Sequence, residues 1–302
     1  SSDLQSISAL VFIWITGGIV ALCGALTYGE LAARIPRSGG EYTFLSKIFH
    51  PSIGFLSGFI SMTIGFAAPI AIAAIALGVY ANILFITSPL FISVISIIVL
   101  AVLNSSSFRI GANFNFFATL INICLLLVFC STAFFIGHHA DFNITFNLSD
   151  IKQVFSPAFA VSLVYVSFAY SGWNSAAYIT HQIEDPVKNL PKILIIGTMI
   201  VMTLYTVLNF AFLYTVPLNV LAGKVDVAFL AANNIFGSAG GKLVAALISI
   251  GLIASINSML ITGPRVTQAI AFDYKAMQIL GVENKHGAPV YAIILLMLIS
   301  LI

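Results

Sequence analysis

Side chains that could support catalysis or metal binding are few, and they are scattered along the chain. His181 and Glu184 have the H-x-x-E spacing of paired metal ligands, but they lack further ligands. Glu30 and Arg34 lie one helical turn apart, which favours an ion pair on a helix surface. The consecutive histidines at 138–139 fall in a predicted outer loop, where solvation is expected. No acidic or histidine cluster in the apolar segments can form a catalytic set or a proton pathway, so the sequence predicts no enzyme, no metal and no cofactor.

The clearest candidate for chemistry is a weak point in an apolar segment, the stretch FAYSGWN at 168–174. Two interpretations of Ser171-Gly172 are open: a notch where helices pack closely, or a break in the helix. A break frees backbone groups, which a membrane tolerates only where they line a cavity or meet other protein. Transporters use such broken helices to bind zwitterions. Flanking aromatic residues, repeated serines and a polar end to the segment favour a break between Ala169 and Gly172.

Composition places the chain among membrane proteins. Of its 302 residues, 60% are hydrophobic and only 7% are charged. A soluble domain of this length carries about a quarter charged residues, so a water-facing surface cannot be built from this sequence. The net charge of +2, without a basic stretch interleaved with aromatics, argues against nucleic acid as a partner. Cys23, Cys124 and Cys130 lie in apolar segments and are expected to be small buried side chains.

Runs without charge predict eight membrane spans. A hydrocarbon core of about 30 Å requires ~20 helical residues. The uniformly apolar runs favour helices over a barrel, whose strands would alternate in polarity. A hairpin at 86–90, with Pro89 near the start of the following helix, divides one long run into two spans. The predicted spans are 8–33, 52–83, 88–104, 113–136, 158–181, 193–216, 240–264 and 287–302.

Basic residues predict the orientation of these spans. With the first span ending in the cytoplasm, nine Lys and Arg residues lie inside and three lie outside. The inside group is Arg34, Arg37, Lys47, Arg109, Lys188, Lys192, Arg265, Lys275 and Lys285, and the outside group is Lys152, Lys224 and Lys242. The inside loops are therefore 34–51, 105–112, 182–192 and 265–286.

Local signals refine the boundaries. Gly39-Gly40 marks the end of the first helix, where the chain must turn. Asn189 is a candidate cap for the sixth span, with Pro191 in its first turn. Three short helices outside the spans are predicted at 41–50, 227–236 and 266–280.

Four motifs in register resemble the amino acid–polyamine–organocation superfamily, and within it the L-type amino acid transporter group. They are LTYGELAARIPRSGGEY (26–42), FAYSGWN (168–174), IEDPVKNLP (183–191) and SINSMLITGPRV (255–266). The resemblance implies an all-α polytopic membrane protein with the LeuT-type inverted-repeat fold. It aligns the first span with the family's second helix and the broken span with its sixth. Residues 1–302 would then be one partial transporter domain, a fragment of about eight helices that lacks the family's first and last ones.

The resemblance also implies a substrate site. In the family, an amino acid lies between the broken first and sixth helices, with its ammonium group on carbonyl oxygens of the sixth. Carried onto this chain, those carbonyls belong to Phe168, Ala169 and Ser171, with Phe168 as a gating aromatic and Ser171 as a determinant of pocket size. The complete predicted set is Phe168, Ala169, Tyr170, Ser171, Gly172, Asn174, Ser255 and Asn257.

Two departures from the family pattern affect coupling and partners. Many prokaryotic relatives have a lysine in the fifth family helix, where this chain has Asn122, and an amide cannot titrate as a cation. Animal relatives join a heavy chain through a cysteine in the loop that corresponds to 82–89, and this loop contains no cysteine. We therefore expect no disulfide-linked heavy chain.

The prediction is an amino acid permease in the plasma membrane that moves a neutral amino acid by alternating access, as an antiporter or by facilitated uptake. Its expected partners are the amino acid and the lipid bilayer. A non-transporting sensor or scaffold with the same fold is the alternative. The substrate and the coupling ion stay open at this point.

Overall fold

The computed structural model describes residues 6–135, 152–221 and 227–302, and all regular secondary structure in these ranges is helical. The histidines at 138–139 lie outside these ranges. The α-helices are α1 (Ile7–Arg34), α2 (Glu41–Ile48), α3 (Pro51–Ile60), α4 (Ala67–Phe85), α5 (Pro89–Ser106), α6 (Phe108–Phe135), α7 (Pro157–Ala169), α8 (Pro186–Thr215), α9 (Leu218–Leu221), α10 (Val227–Phe236), α11 (Gly240–Asp273) and α12 (Val290–Ser300).

Six helical segments in the described ranges are long and apolar enough to cross a membrane. Five are α1, α5, α6, α8 and α11, and the sixth runs from Pro51 to Phe85. In the segment from Pro51 to Phe85, a π-helical turn at Ser61–Gly65 joins α3 to α4. The predicted fifth and eighth spans contain the shorter apolar helices α7 and α12. The chain is therefore an all-α, multi-pass integral membrane protein.

Several predicted boundaries are confirmed. Helix α5 begins at Pro89, and α2 and α10 form where short helices were predicted. Helix α1 ends at Arg34, and the turn that follows contains Gly39 and Gly40 at φ 110° and 53°. These φ values are ones that only glycine adopts without strain.

The start of the sixth predicted span is wrong by about two turns. Helix α8 begins at Pro186 instead of near residue 193, because proline suits the first helical position. The carbonyl of Asp185 accepts hydrogen bonds from the Asn189 and Lys188 amides at 2.9 and 3.1 Å. Asn189 is therefore inside the first turn and does not cap the helix.

The predicted separation of 240–264 from a second helix at 266–280 is also wrong. Helix α11 continues through Pro264 to Asp273, and Lys275–Gly281 form a 3₁₀ segment. Membrane helices tolerate an internal proline when neighbouring groups compensate for the missing N–H. The helix also packs tightly beside this proline. A Cβ added to Gly263 would lie 2.7 Å from the side chain of Leu296.

The chain divides into two compact units. The first contains 1–27, 124–173 and 193–244, and the second contains 28–123, 174–192 and 245–302. In the first unit, α1 contacts its neighbours through small residues. An added Cβ on Gly17 would lie 2.6 Å from Val166, and one on Gly18 would lie 2.4 Å from Met202. Such close approach is how membrane helices pack in the absence of a strong hydrophobic drive.

The core of the second unit lies between α4, α5, α11 and α12. Ile70, Ile97, Leu260 and Ile293 are buried there. The α4–α5 hairpin is tied by the Ser93 hydroxyl, which donates to the Ala74 carbonyl at 2.8 Å. This unit also contains most of the polar contacts described below.

Candidate substrate site at the interrupted helix

Helix α7 is interrupted where the sequence predicts a break. The helix begins at Pro157, where the Ser156 hydroxyl accepts a hydrogen bond from the Phe159 amide at 3.2 Å, and it ends at Ala169. Gly172 then adopts φ 95°, and a 3₁₀ segment follows at Ser175–Gln182. Because an L-residue is strained at this φ, glycine permits the chain to leave the helical path here.

Local backbone hydrogen bonds close the end of α7. The Tyr170 amide donates to the Val166 carbonyl at 3.1 Å, and the Ser171 amide donates to the Phe168 carbonyl at 3.0 Å. The Phe168 oxygen, a predicted ammonium ligand, therefore already accepts local hydrogen bonds at the helix end. Phe168, Ala169, Ser171 and Gly172 are all exposed, and Phe168 has 63% of its surface accessible.

Tyr170 faces away from this exposed set. It is 3% exposed, and its hydroxyl donates to the Trp14 carbonyl at 3.0 Å. Its ring also lies 5.3 Å from that of Tyr205. The sequence placed Tyr170 in the substrate set, but these contacts use its side chain to fix the end of α7 within the first unit.

Beyond the break, Asn174 belongs to the second unit and meets a carboxylate that sequence reasoning missed. Its amide nitrogen donates to Glu41 Oε1 at 2.5 Å. The hydroxyl of Tyr28 donates to the same oxygen at 2.9 Å, and the hydroxyl of Tyr178 donates to Oε2. The available signal was the acidic residue directly after Gly39-Gly40, at the start of a helix, where a negative charge is favoured.

The turn before Glu41 makes further contacts with the same 3₁₀ segment. The backbone amide of His181 donates to the Ser38 hydroxyl at 3.0 Å, and that hydroxyl lies 2.7 Å from Nδ1 of His181. The Gly39 amide donates to the Tyr178 carbonyl at 3.3 Å. His181 therefore has a structural partner, and the described residues contain no group of three His, Cys, Asp or Glu side chains that could hold a metal.

The residues that flank the turn at 38–41 contact the end of α11. The guanidinium of Arg37 donates to Asp273 Oδ1 at 2.8 Å, and the hydroxyl of Tyr42 donates to Oδ2 at 2.6 Å. Burial and the Asp273 carboxylate raise the pKa of Tyr42 well above its ordinary value. The phenol therefore stays protonated, and remains a donor, throughout the physiological pH range.

The two predicted site residues of α11 have opposite environments. Ser255 is exposed, whereas Asn257 is fully buried. The Asn257 amide nitrogen donates to the Gly111 carbonyl at 3.1 Å, and its oxygen accepts from Asn104 at 2.7 Å. Two residues along a helix differ by about 200° in direction, which explains the contrast. Asn257 joins α11 to α5 and α6, and only Ser255 has an accessible side chain.

Asn122, at the predicted coupling position, has an unused acceptor. Its Oδ1 is buried and has no hydrogen-bond partner among the described residues. The side chain lies against α11, where a Cβ on Gly251 would approach it to 3.1 Å. By contrast, Glu30 and Arg34 form the expected surface pair at 2.7 Å, with both side chains mostly exposed.

Comparison with known proteins gives relatives that are consistent with one another. The chain is 31% identical to the serine/threonine exchanger SteT of Bacillus subtilis, over 86% of this chain and 59% of that protein. It is 26% identical to the mouse Asc-type amino acid transporter 1, over 86% of this chain and 51% of that protein. It is also 26% identical to the mouse large neutral amino acids transporter small subunit 2, over 98% of this chain and 58% of that protein.

The chain thus spans between half and three fifths of the length of these relatives. Their shared description as transporters or exchangers of amino acids agrees with the broken helix and with the order of the four motifs. The family described as amino acid permease matches residues 2–302, and the chain belongs to this family.

Proposed function

We propose that the protein containing this chain is a secondary transporter that exchanges neutral amino acids across the plasma membrane by alternating access. The break in α7 carries the proposal: the helix stops at Ala169, and Gly172 turns the chain within an apolar segment. A membrane protein keeps such a break only where the freed backbone groups have a partner. Membership of the permease family and the descriptions of the relatives support an amino acid as that partner.

The exposed end of α7 is the proposed ammonium site. A helix C-terminus carries a negative partial charge of about half an elementary unit. The carbonyls of Phe168, Ala169 and Ser171 lie at this end, and the three residues are exposed. In this proposal Phe168 closes over the substrate and Ser171 limits the size of its side chain. The substrate carboxylate is assigned to the family's first helix, outside residues 1–302.

Residues 1–302 form, in this proposal, one LeuT-type transporter domain that contains family helices 2 to 9. Four helices, α1, α6, α8 and α11, supply residues to both compact units. The expectation that no heavy chain is joined by a disulfide rests on the cysteine-free loop at 82–89 and stays a prediction.

We propose that transport does not depend on a titrating group in the span at 113–136, on the basis of the chemistry of Asn122. A neutral amide does not titrate, and its buried Oδ1 calls for a hydrogen-bond donor. We propose that Asn122 holds a neighbouring helix by a neutral hydrogen bond. A single amide and the hydroxyl of Ser255 would be a poor sodium site, because Na⁺ takes several oxygen ligands.

The test is counterflow in proteoliposomes with the full-length protein and a panel of amino acids. Exchange of small neutral amino acids without a response to a pH or Na⁺ gradient is expected. Ser171→Trp should abolish exchange of the larger substrates by filling their space, while Ser131→Trp, on an exposed face of α6, should leave exchange unchanged. Binding without flux would identify a sensor, and unchanged uptake by Ser171→Trp of every amino acid would place the pocket elsewhere.

A further inference from the structure

We propose that Glu41 is a positioning residue for the substrate site, because its carboxylate holds the segment that follows the break, Asn174–Gln182. This inference rests on the proposed transport function. In this proposal Glu41 acts through Asn174 and Tyr178, which follow the break. Glu41 lies in the motif at 26–42, but the predicted site set does not include it.

The carboxylate of Glu41 links three separate parts of the second unit by hydrogen bonds. Tyr28 comes from the end of α1 and Glu41 from the start of α2, while Asn174 and Tyr178 follow the break. Three donors therefore bind two carboxylate oxygens, at 2.9 Å for Tyr28 and 2.5 Å for Asn174, with Tyr178 on the second oxygen. Hydrogen bonds to an ionised acceptor are roughly twice as strong as neutral ones.

A carboxylate suits this position better than any neutral side chain. It is the side chain that offers about four acceptor positions and no donor. Tyr178 is 7% exposed, and besides donating to Glu41 it accepts a hydrogen bond from Asn174 at 3.2 Å. If residue 41 were an amide, its NH₂ group would face either the Tyr178 hydroxyl or the donors from Asn174 and Tyr28, so at least one present hydrogen bond would be lost.

The backbone around Glu41 is shaped for this contact. Gly40 has φ 53°, and a Cβ there would lie 2.4 Å from the ring of Tyr178. The ring of Tyr178 therefore packs against bare backbone, which places its hydroxyl on the neighbouring carboxylate. The first position of α2 also favours a negative charge, because the unpaired amides of a helix N-terminus carry positive partial charge.

A second set of contacts keeps the segment folded when Glu41 is changed. Ser38 is hydrogen-bonded to His181, and the Gly39 amide donates to Tyr178. Neutralising Glu41 should therefore loosen Asn174–Gln182 without unfolding the protein. In a transport cycle, a loose segment no longer moves as one body with the 38–41 turn, so turnover falls.

The experiment measures labelling and transport in the full-length protein. A single cysteine replaces Thr180, which is 1% exposed, in a cysteine-free background, and its reaction with a maleimide is followed in detergent. Glu41→Gln should label about tenfold faster than the parent, the factor expected for losing one charged hydrogen bond. Glu30→Gln is the matched control, since Glu30 is an exposed carboxylate paired with Arg34, and it should label like the parent.

Exchange in proteoliposomes gives the second measurement. Glu41→Gln should lower the maximal rate about tenfold, with a smaller change in KM, and Glu41→Asp, which keeps the charge, should recover part of the rate. Parental labelling and parental exchange by Glu41→Gln would overturn the proposal. A parent protein that moves no amino acid would refute the proposed function, while the labelling result would still decide the role of Glu41.

If Glu41→Gln does not fold, Tyr28→Phe combined with Tyr178→Phe removes two donors and leaves the charge in place. Faster labelling at position 180 in this double variant supports the proposal. Labelling at the parental rate contradicts it.

Discussion

Two weak points in apolar helices, Ser171-Gly172 and Gly263-Pro264, have different outcomes in this molecule. At the first, α7 ends at Ala169, and the chain turns through positive φ before a 3₁₀ segment begins. At the second, α11 continues for nine residues beyond Pro264 and ends at Asp273. Proline is the stronger helix breaker of the two by intrinsic propensity, at about 3 kcal/mol against about 1 for glycine.

The neighbours of each weak point explain the difference. After Gly263-Pro264, Arg265 is held in helical position by Glu283 at 2.6 Å and by the Gly287 carbonyl at 2.7 Å. After Gly172, the next polar residue is Asn174, which is held outside the helical path by Glu41. Local propensity marks where a helix can break, and the polar anchor that follows decides whether it does.

The largest effect is expected from removing the anchor of α11. Arg265 is 4% exposed, and Arg265→Met would remove its hydrogen bonds to Glu283, to Gln268 and to the Gly287 carbonyl. Loss of these three hydrogen bonds of a buried guanidinium should cost about 3 kcal/mol, measured as a fall in the unfolding temperature of the purified protein. Lys285→Met, at an exposed position, is the control and should change little. Equal unfolding temperatures would mean that α11 does not depend on this anchor.

A smaller effect is expected from forcing a side chain onto the break. Gly172→Ala places a Cβ at φ 95°, a strain of about 2 kcal/mol, and should lower both stability and exchange rate. Gly197→Ala is the matched control, because Gly197 lies within α8 with no heavy atom near the added Cβ. It should stabilise the helix by up to about 1 kcal/mol. If the two variants behaved alike, the positive φ at Gly172 would not matter.

Pro264→Ala tests the second weak point, in α11. The expected change in stability is smaller than for Gly172→Ala. The substitution restores an N–H group and removes the clash of the ring with the preceding turn. Because α11 is already continuous, we expect a gain of no more than about 1 kcal/mol in the free energy of unfolding, with exchange unchanged. A large loss of exchange would show that the proline itself has a functional role.

The last prediction concerns topology: the turn that contains Glu41 should lie on the cytoplasmic side of the membrane. No effect on stability is expected from the substitutions that test it. A cysteine at His50, which is exposed, should resist an impermeant reagent on intact cells, and one at exposed Lys152 should react. Ser38 is a poor position for this test, because it is 9% exposed and hydrogen-bonded to His181. Ready labelling at His50 would reverse the predicted topology.

The sequence by itself determined the membrane class, the positions of most spans and the break in α7. These properties depend on neighbouring residues alone: a run of about 20 apolar residues prefers lipid wherever it occurs, and Gly172 permits positive φ by lacking a Cβ. Proline at the first helical position likewise marked the start of α5 at Pro89. Such signals are complete within a short window of the chain.

Only the tertiary structure decided which polar groups meet. Glu41 and Asn174 are separated by 133 residues, and Asn104 and Asn257 by 153, so no local pattern shows that they are paired. The burial of Tyr170 and the continuity of α11 through Pro264 have the same origin. A polar side chain in an apolar surrounding is stable only with a hydrogen-bond partner. The identity of that partner depends on which helices lie side by side, a choice that packing makes over the whole chain.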